Sequence, residues 1–194
     1  MLRQLLAAVR AVLVATVVLG LAYPLLMTGL AQVVAPARAD GSLVTVDGTV
    51  VGSALIGQGF VSADGDPLPR YFQSRPSAGD WDGRASGGSN LGPSSPELAE
   101  AVATRRAEVA AFNGVPESAV PDDAVTTSAS GLDPHISPAY AQLQVARVAE
   151  ARGVPVSEVA DLLAEATHGR DLGFIGAPHV DVLELNVALD RAFD

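Results

Sequence analysis

Between Arg10 and Arg38 the sequence runs for 27 residues, Ala11 to Ala37, without a charge, and "AVLVATVVLGLAYPLLMTGLAQVV" within that run is dominated by Val, Leu and Ala. About 20 apolar residues cover the roughly 30 Å hydrocarbon core of a bilayer, and a helix of this length at about 1.5 Å per residue reaches roughly 40 Å. Pro24 and the two glycines of the run are tolerable in such a helix. A cleaved signal peptide competes, because Arg3 and Arg10 form a basic start and "PARAD" offers a small-residue cleavage site near Ala39. Signal-peptide cores extend over only about 7 to 15 apolar residues, so the sequence predicts an uncleaved anchor. Arg3, Arg10 and the free amino terminus flank one end, whereas Arg38 at the other is followed at once by Asp40. The more basic end stays in the cytoplasm. The expected layout is a cytoplasmic amino terminus at 1–10, a transmembrane helix at 11–34 and an extracytoplasmic domain at 40–194, in a single-pass plasma-membrane protein.

All 12 basic residues are arginine, and cysteine is absent. Without lysine there is no Walker A loop and no Schiff-base nucleophile. Without cysteine there are no disulfides, thiolate metal sites or cysteine nucleophiles. All 22 acids fall after residue 39 against nine arginines, a net charge of −13 on the outer domain, which disfavours nucleic acid and anionic headgroups as partners.

The fold class expected for residues 40–194 is mixed α/β (α+β): one soluble domain with a β-hairpin and about four helices. "LVTVDGTVVGSALIG" alternates apolar and small residues around Asp47 and Gly48, a pair suited to a tight hairpin turn. From Gly57 to Pro96 the chain is rich in Gly, Ser, Pro and Asp, with "YFQSRPSA" as an island inside it; a stretch that long without regular structure is functional or disordered. In "PSSPELAEAVATRRAEVAAFNG", Ser94 or Ser95 caps a helix, Pro96 suits its first turn and Gly114 stops it. Ser137 and Pro138 start a second helix that ends at Gly153. One of its faces is mixed, so it is expected to touch something polar. A third, "SEVADLLAEATHG", lines up Val159, Leu162, Leu163 and Ala166 as a core stripe. "VDVLELNVALDRAF" reads as a helix capped by Asp181, with a short strand before it.

Chemistry is sparse. No GxSxG elbow occurs, and the three histidines form no HExxH or close pair. A metal site from Asp133 and His135 is imaginable, but "SGLDPHISP" reads better as a proline-fixed turn in which Asp133 bonds nearby backbone amides and His135 is a turn residue near the surface. No catalytic and no metal-binding residue is assigned. "LIGQGF" matches part of a GxGxxG fingerprint, with Ser62 where the third glycine belongs. "ASGGSN" resembles the serine and twin-glycine signature of ABC ATPases, but Arg84 is its only neighbouring cation and Asp80, Asp82 and Glu97 lie close by. Charge therefore predicts weak ATP binding by the domain alone, and Ser86, Gly87, Gly88, Ser89 and Asn90 are expected to bend the chain and to be free for contact with another protein. A membrane-tethered extracytoplasmic serine hydrolase is the alternative function, disfavoured because no serine has an evident basic partner.

Together, "LIGQGF", "YFQSRPSA", "SGGSNLGPSSPEL", "SGLDPHISP", "QVARVAEARG" and "LGFIGAPHVDVLELNVALD", in this order after one amino-terminal span, resemble the C subunit of the Kdp potassium-transporting ATPase, the KdpC family. The resemblance covers nearly the whole chain. It implies a non-catalytic subunit of a four-part potassium pump, beside a potassium-carrying subunit, a P-type subunit that hydrolyses ATP and a small single-span subunit. It further implies a chaperone-like factor that raises the pump's affinity for ATP, with Gln144 as the nucleotide-linked residue and Ser86, Gly87, Gly88 and Ser89 as its companions. No cofactor is expected to bind tightly, and ATP is engaged only in complex with the P-type subunit. Arg75, Asn90, Asp133 and His135 are the expected partner contacts. P-type ATPases bind nucleotide in the cytoplasm, whereas the flanking charges place residues 40–194 on the other side.

Overall fold

The computed structural model describes residues 1–193 and divides into two compact units, Met1–Leu43 and the chain from Val44 onward. In the first, α1 (Leu2–Ala15), a π-helical segment (Thr16–Ala22) and α2 (Tyr23–Val34) form one run of 33 residues, followed by the short α3 (Pro36–Ala39). By length and composition the run can cross a membrane, and none of it is buried. The helix starts at Leu2 rather than Ala11, because Leu, Ala, Gln and Arg are all good helix formers. Pro24 accounts for the π segment. Proline has no N–H to give the Gly20 carbonyl, and its ring crowds that carbonyl. Widening the preceding turn relieves the clash, and the Tyr23 N–H accordingly reaches back to the Val18 carbonyl.

The second unit opens with the expected hairpin, β1 (Leu43–Val46) and β2 (Thr49–Ser53), turned through Asp47 and Gly48 at φ 49° and 77°. α4 (Pro96–Asn113) is capped by Ser95, whose Oγ accepts the Leu98 N–H at 3.3 Å. Then follow β3 (His135–Ile136), α5 (Pro138–Arg152), α6 (Val156–Glu165), β4 (Thr167–His168), β5 (His179–Asp181) and α7 (Val182–Phe193). Ser137 caps α5 by accepting the Tyr140 N–H at 3.0 Å, and Asp181 caps α7 by accepting the Glu184 N–H at 2.8 Å. α4 and α5 both end on a left-handed glycine, Gly114 and Gly153.

The three short strands form an antiparallel sheet in the order β3-β5-β4, pairing His135 with Asp181, Ile136 with Val180, Thr167 with Val180 and His168 with His179. Only β5 was expected. Strands of two residues carry no readable alternation, so His135, expected in a turn, lies in β3. α5, α6 and α7 enclose the core: Val145, Val148 and Ala149 cluster with Val159 and Leu163 and with Val182, Leu185 and Leu189. α4 buries only Ala110 completely, as its poor apolar register suggests.

Candidate functional site

The irregular segment between the hairpin and α4 lies largely at the domain surface, but its central part dips inward at Phe72, which is fully buried, without a neighbouring strand. Backbone groups taken out of water there need partners, and side chains of α5 and α7 supply them over residues 69–73. The carbonyls of five consecutive residues are each capped. Arg147 Nη1 donates to Pro69 and, at 3.0 Å, to Tyr71, and Arg152 Nε donates to Arg70 at 2.8 Å. Asn186 Nδ2 donates to Phe72 at 2.9 Å and Gln144 Nε2 to Gln73 at 3.2 Å. The last two amides also accept in return: Asn186 Oδ1 from the Phe72 N–H at 2.9 Å, Gln144 Oε1 from the Gln73 N–H at 2.7 Å. Each mimics an antiparallel neighbour strand, exchanging two hydrogen bonds with one residue.

Gln144 and Arg147 stand three apart on α5, so they share a face; Gln144 is 0% and Arg147 8% exposed. The Arg147 guanidinium also bonds Asn113 Oδ1 at 2.9 Å and Gln144 Oε1 at 2.7 Å and lies 4.3 Å from the centre of the Phe112 ring. Its hydrogen-bond acceptors are all neutral. Burial pushes its pKa down to about 10, which leaves it charged at neutral pH. Arg152 instead meets Asp190 at 2.6 Å, and Asp190 also accepts the Tyr71 hydroxyl at 3.1 Å. The mixed face of α5 thus does touch something polar, and that something is the protein's own backbone.

The glycine and serine loop docks on residues 128–131. Gly87 N–H and Ser86 Oγ both donate to the Ser130 carbonyl, at 2.8 and 3.0 Å. Gly131 has φ 68°, and a Cβ there would come within 2.5 Å of the Gly87 carbonyl oxygen, so only glycine permits this approach. Asn90 turns the loop away at φ 54° and is exposed. "LIGQGF" holds no helix start: a Cβ on Gly57 would lie 2.6 Å from both the Asp133 carbonyl and the Trp81 ring. Its glycine is set by packing.

Arg75, Asp133 and His135 come together. Arg75 Nη1 meets Asp133 Oδ2 at 2.9 Å, and its Nε and Nη2 donate to the Thr126 carbonyl at 3.3 and 3.2 Å. Asp133 Oδ1 accepts the His135 N–H at 3.0 Å, the turn bond expected from the sequence, and lies 3.4 Å from the ring Nδ1. We expect Arg75→Ala to destabilise the full chain by about 1–2 kcal/mol, since it strips the Thr126 carbonyl and Asp133 of a charged donor; an unchanged denaturation midpoint would free Arg75 for a partner.

Burial raises the Asp133 pKa, but the His135 ring and backbone bonds and Arg75 outweigh it and hold the carboxyl at about 2. The same hydrogen bond raises His135 above 6.5 against its own burial, helped by the charges of Asp133, Asp181 and Glu184. The His135 contribution to stability is therefore complete below pH 6.5 and is lost as pH rises through the higher folded value. The Asp133 contribution is complete above 3.8 and is lost as pH falls toward about 2. Melting of the full chain should come earlier at slightly alkaline pH than at slightly acid pH, and Asp133→Asn should shrink that difference. His179 packs edge-on against His135 at 4.3 Å and stacks with His168 at 5.3 Å, so the sheet gathers all three histidines. The ring of His135 lies by Asp133 and that of His179 by the Ala177 carbonyl, 3.1 Å from its Nδ1.

Residues 5–191 match the family model described as KdpC, K+-transporting ATPase, c chain. The chain belongs to the KdpC family. Among its relatives, the Potassium-transporting ATPase KdpC subunit of Kineococcus radiotolerans is 55% identical, with 99% of this chain and 95% of the relative covered. That of Nitratidesulfovibrio vulgaris is 54% identical over 87% of this chain and 84% of its own length. That of Sorangium cellulosum is 52% identical over 99% and 100%. In this KdpC chain, of the predicted nucleotide set, Gln144 bonds Gln73 and Arg147 in the interior, while Ser86 and Gly87 bond Ser130. Arg147, Arg152, Asn186 and Gln73 escaped sequence reasoning. Their one signal was polar residues interrupting the buried faces of α5 and α7.

Proposed function

We propose that this chain is the accessory, non-catalytic C subunit of a high-affinity, ATP-driven potassium uptake pump, supporting its assembly beside a potassium-carrying subunit, a P-type ATPase subunit and a small single-span subunit. What carries the reading is the family match, which runs from within α1 to within α7. The helix Leu2–Val34 anchors the chain in the plasma membrane, and the arginines at its start keep residues 1–10 cytoplasmic and residues 40–194 outside. The domain is then on the far side of the bilayer from the ATP. Its chaperone-like effect on ATP affinity passes through the other subunits, and this chain alone holds no nucleotide tightly. The burial of Gln144 and the docking of Ser86 and Gly87 on Ser130 agree with an indirect route.

The test uses the tagged full chain in cells producing the whole pump. Detergent extraction should bring down the P-type and potassium-carrying subunits with it, and external protease should digest the domain in intact spheroplasts. Pump assembled without this chain should need more ATP for half-maximal hydrolysis. A chain that purifies alone, or one cut only from the cytoplasmic side, would refute the corresponding part.

A further inference from the structure

The chain's three histidines lie one on each strand of the antiparallel sheet, and they share one face. His168 and His179 are direct cross-strand partners, and His135 is paired with Asp181, two residues beyond His179. Side chains two apart on a strand lie on the same side. Ile136 and Val180 take the other side and are buried in the core. His179 is the middle ring, 4.3 Å from His135 and 5.3 Å from His168. β4 is an edge strand with two pairs to β5, and every residue from His168 to Pro178 is exposed. Through the stack of rings this edge is tied to β3 across the width of the sheet.

Charged groups face the stack from several elements. Asp133, in the turn before β3, lies 3.4 Å from His135 Nδ1 and pairs through its other oxygen with Arg75. The charges of Asp181 on β5 and Glu184 on α7 also favour a proton on His135. Glu165 on α6 joins Asp181, Glu184 and His168 around a cavity of about 280 Å³. Arg75 is the cation that opposes them. One proton in the stack therefore meets carboxylates on several sides, whereas two adjacent charged rings would repel each other.

We propose that His135 is the proton-sensing end of a latch: with its proton bound, the ring stack fastens β4 and the 169–178 excursion to the sheet, and with the proton lost that edge opens. The latch is closed at acid pH and lets go as pH rises through the folded value of His135, which the fold raises above 6.5. It is a local opening, in which β4 detaches while α5 and α7 stay closed around the core. The latch belongs to the domain itself and works with or without the other subunits.

Hydrogen exchange of the full chain in detergent, followed between about pH 6 and 8.5 and corrected for the intrinsic rate, reads the latch. Protection of residues 167–180 should fall as pH rises, by about tenfold for each pH unit by which the NMR midpoint of His135 exceeds 6.5. The fall should level off once His135 has titrated, and α5 should lose less. His135→Phe keeps a ring in the stack and removes the proton, so protection there should no longer change with pH. A parent whose 167–180 protection holds steady while His135 titrates overturns the latch, as does a pH-dependent fall that survives in His135→Phe. Should that variant melt early, His168→Ala decides, because it cuts the stack at an exposed residue of β4. His135 should then still titrate while the pH dependence of 167–180 disappears, and a dependence that remains overturns the proposal.

Discussion

Gln144→Ala is expected to lower the melting temperature of the full chain in detergent by about 6–12 °C, the shift that about 3 kcal/mol produces in a protein of this size. The substitution strands the N–H and C=O of Gln73 and one N–H of Arg147 at a site where Gln144 has no exposed surface. Each buried polar group left unpaired costs about 1–3 kcal/mol. Gln144→Glu keeps the acceptor but cannot donate to the Gln73 carbonyl, so it should fall between the two. If Gln144 served a ligand instead, the alanine variant would melt with the parent and differ only in its response to nucleotide, and that result would refute the structural role assigned here.

Arg147→Lys is expected to be as damaging, at about 3 kcal/mol, although it preserves the charge. The guanidinium reaches Asn113, Gln144, Pro69 and Tyr71 at once and stacks over Phe112. A lysine ammonium is a point charge with three donors and no planar face, and here it would be buried with most of those acceptors stranded. Arg147→Met, which removes the charge, should be no worse than lysine. Urea denaturation of the three chains compares them, and a lysine variant near the parent would show that charge alone is what the position requires. Because Gln144 and Arg147 share a hydrogen bond, the double variant should lose less than the two single losses together.

Features written into neighbouring residues were legible in advance. Ser95 with Pro96, Ser137 with Pro138, the closing glycines 114 and 153, the Asp47–Gly48 turn and the Asp181 cap are all where local chemistry puts them, because a cap or turn needs only residues within reach of one helical turn. The long apolar amino-terminal helix was legible for the same reason, except for its π segment. What could not be read depends on distance along the chain. The Gln144–Gln73 and Asn186–Phe72 bonds join residues 71 and 114 apart, and β3 and β4 exist only because β5 lies between them. The long Gly57 to Pro96 stretch read as functional or disordered. α5 and α7 order its central part within the domain.

That dependence sets a schedule for biosynthesis. Phe72 leaves the ribosome with neither of the amides that will hold its neighbourhood, and its own partner, Asn186, emerges 114 residues later. At about 5–20 residues per second the segment waits roughly 6 to 23 s for Asn186, with its peptide groups hydrated. The long apolar amino-terminal helix, by contrast, completes its backbone bonds from residues close at hand and can form long before. The amino-terminal helix can therefore form first, and residues 69–73 gain their side-chain partners only after α5 and α7 have been made.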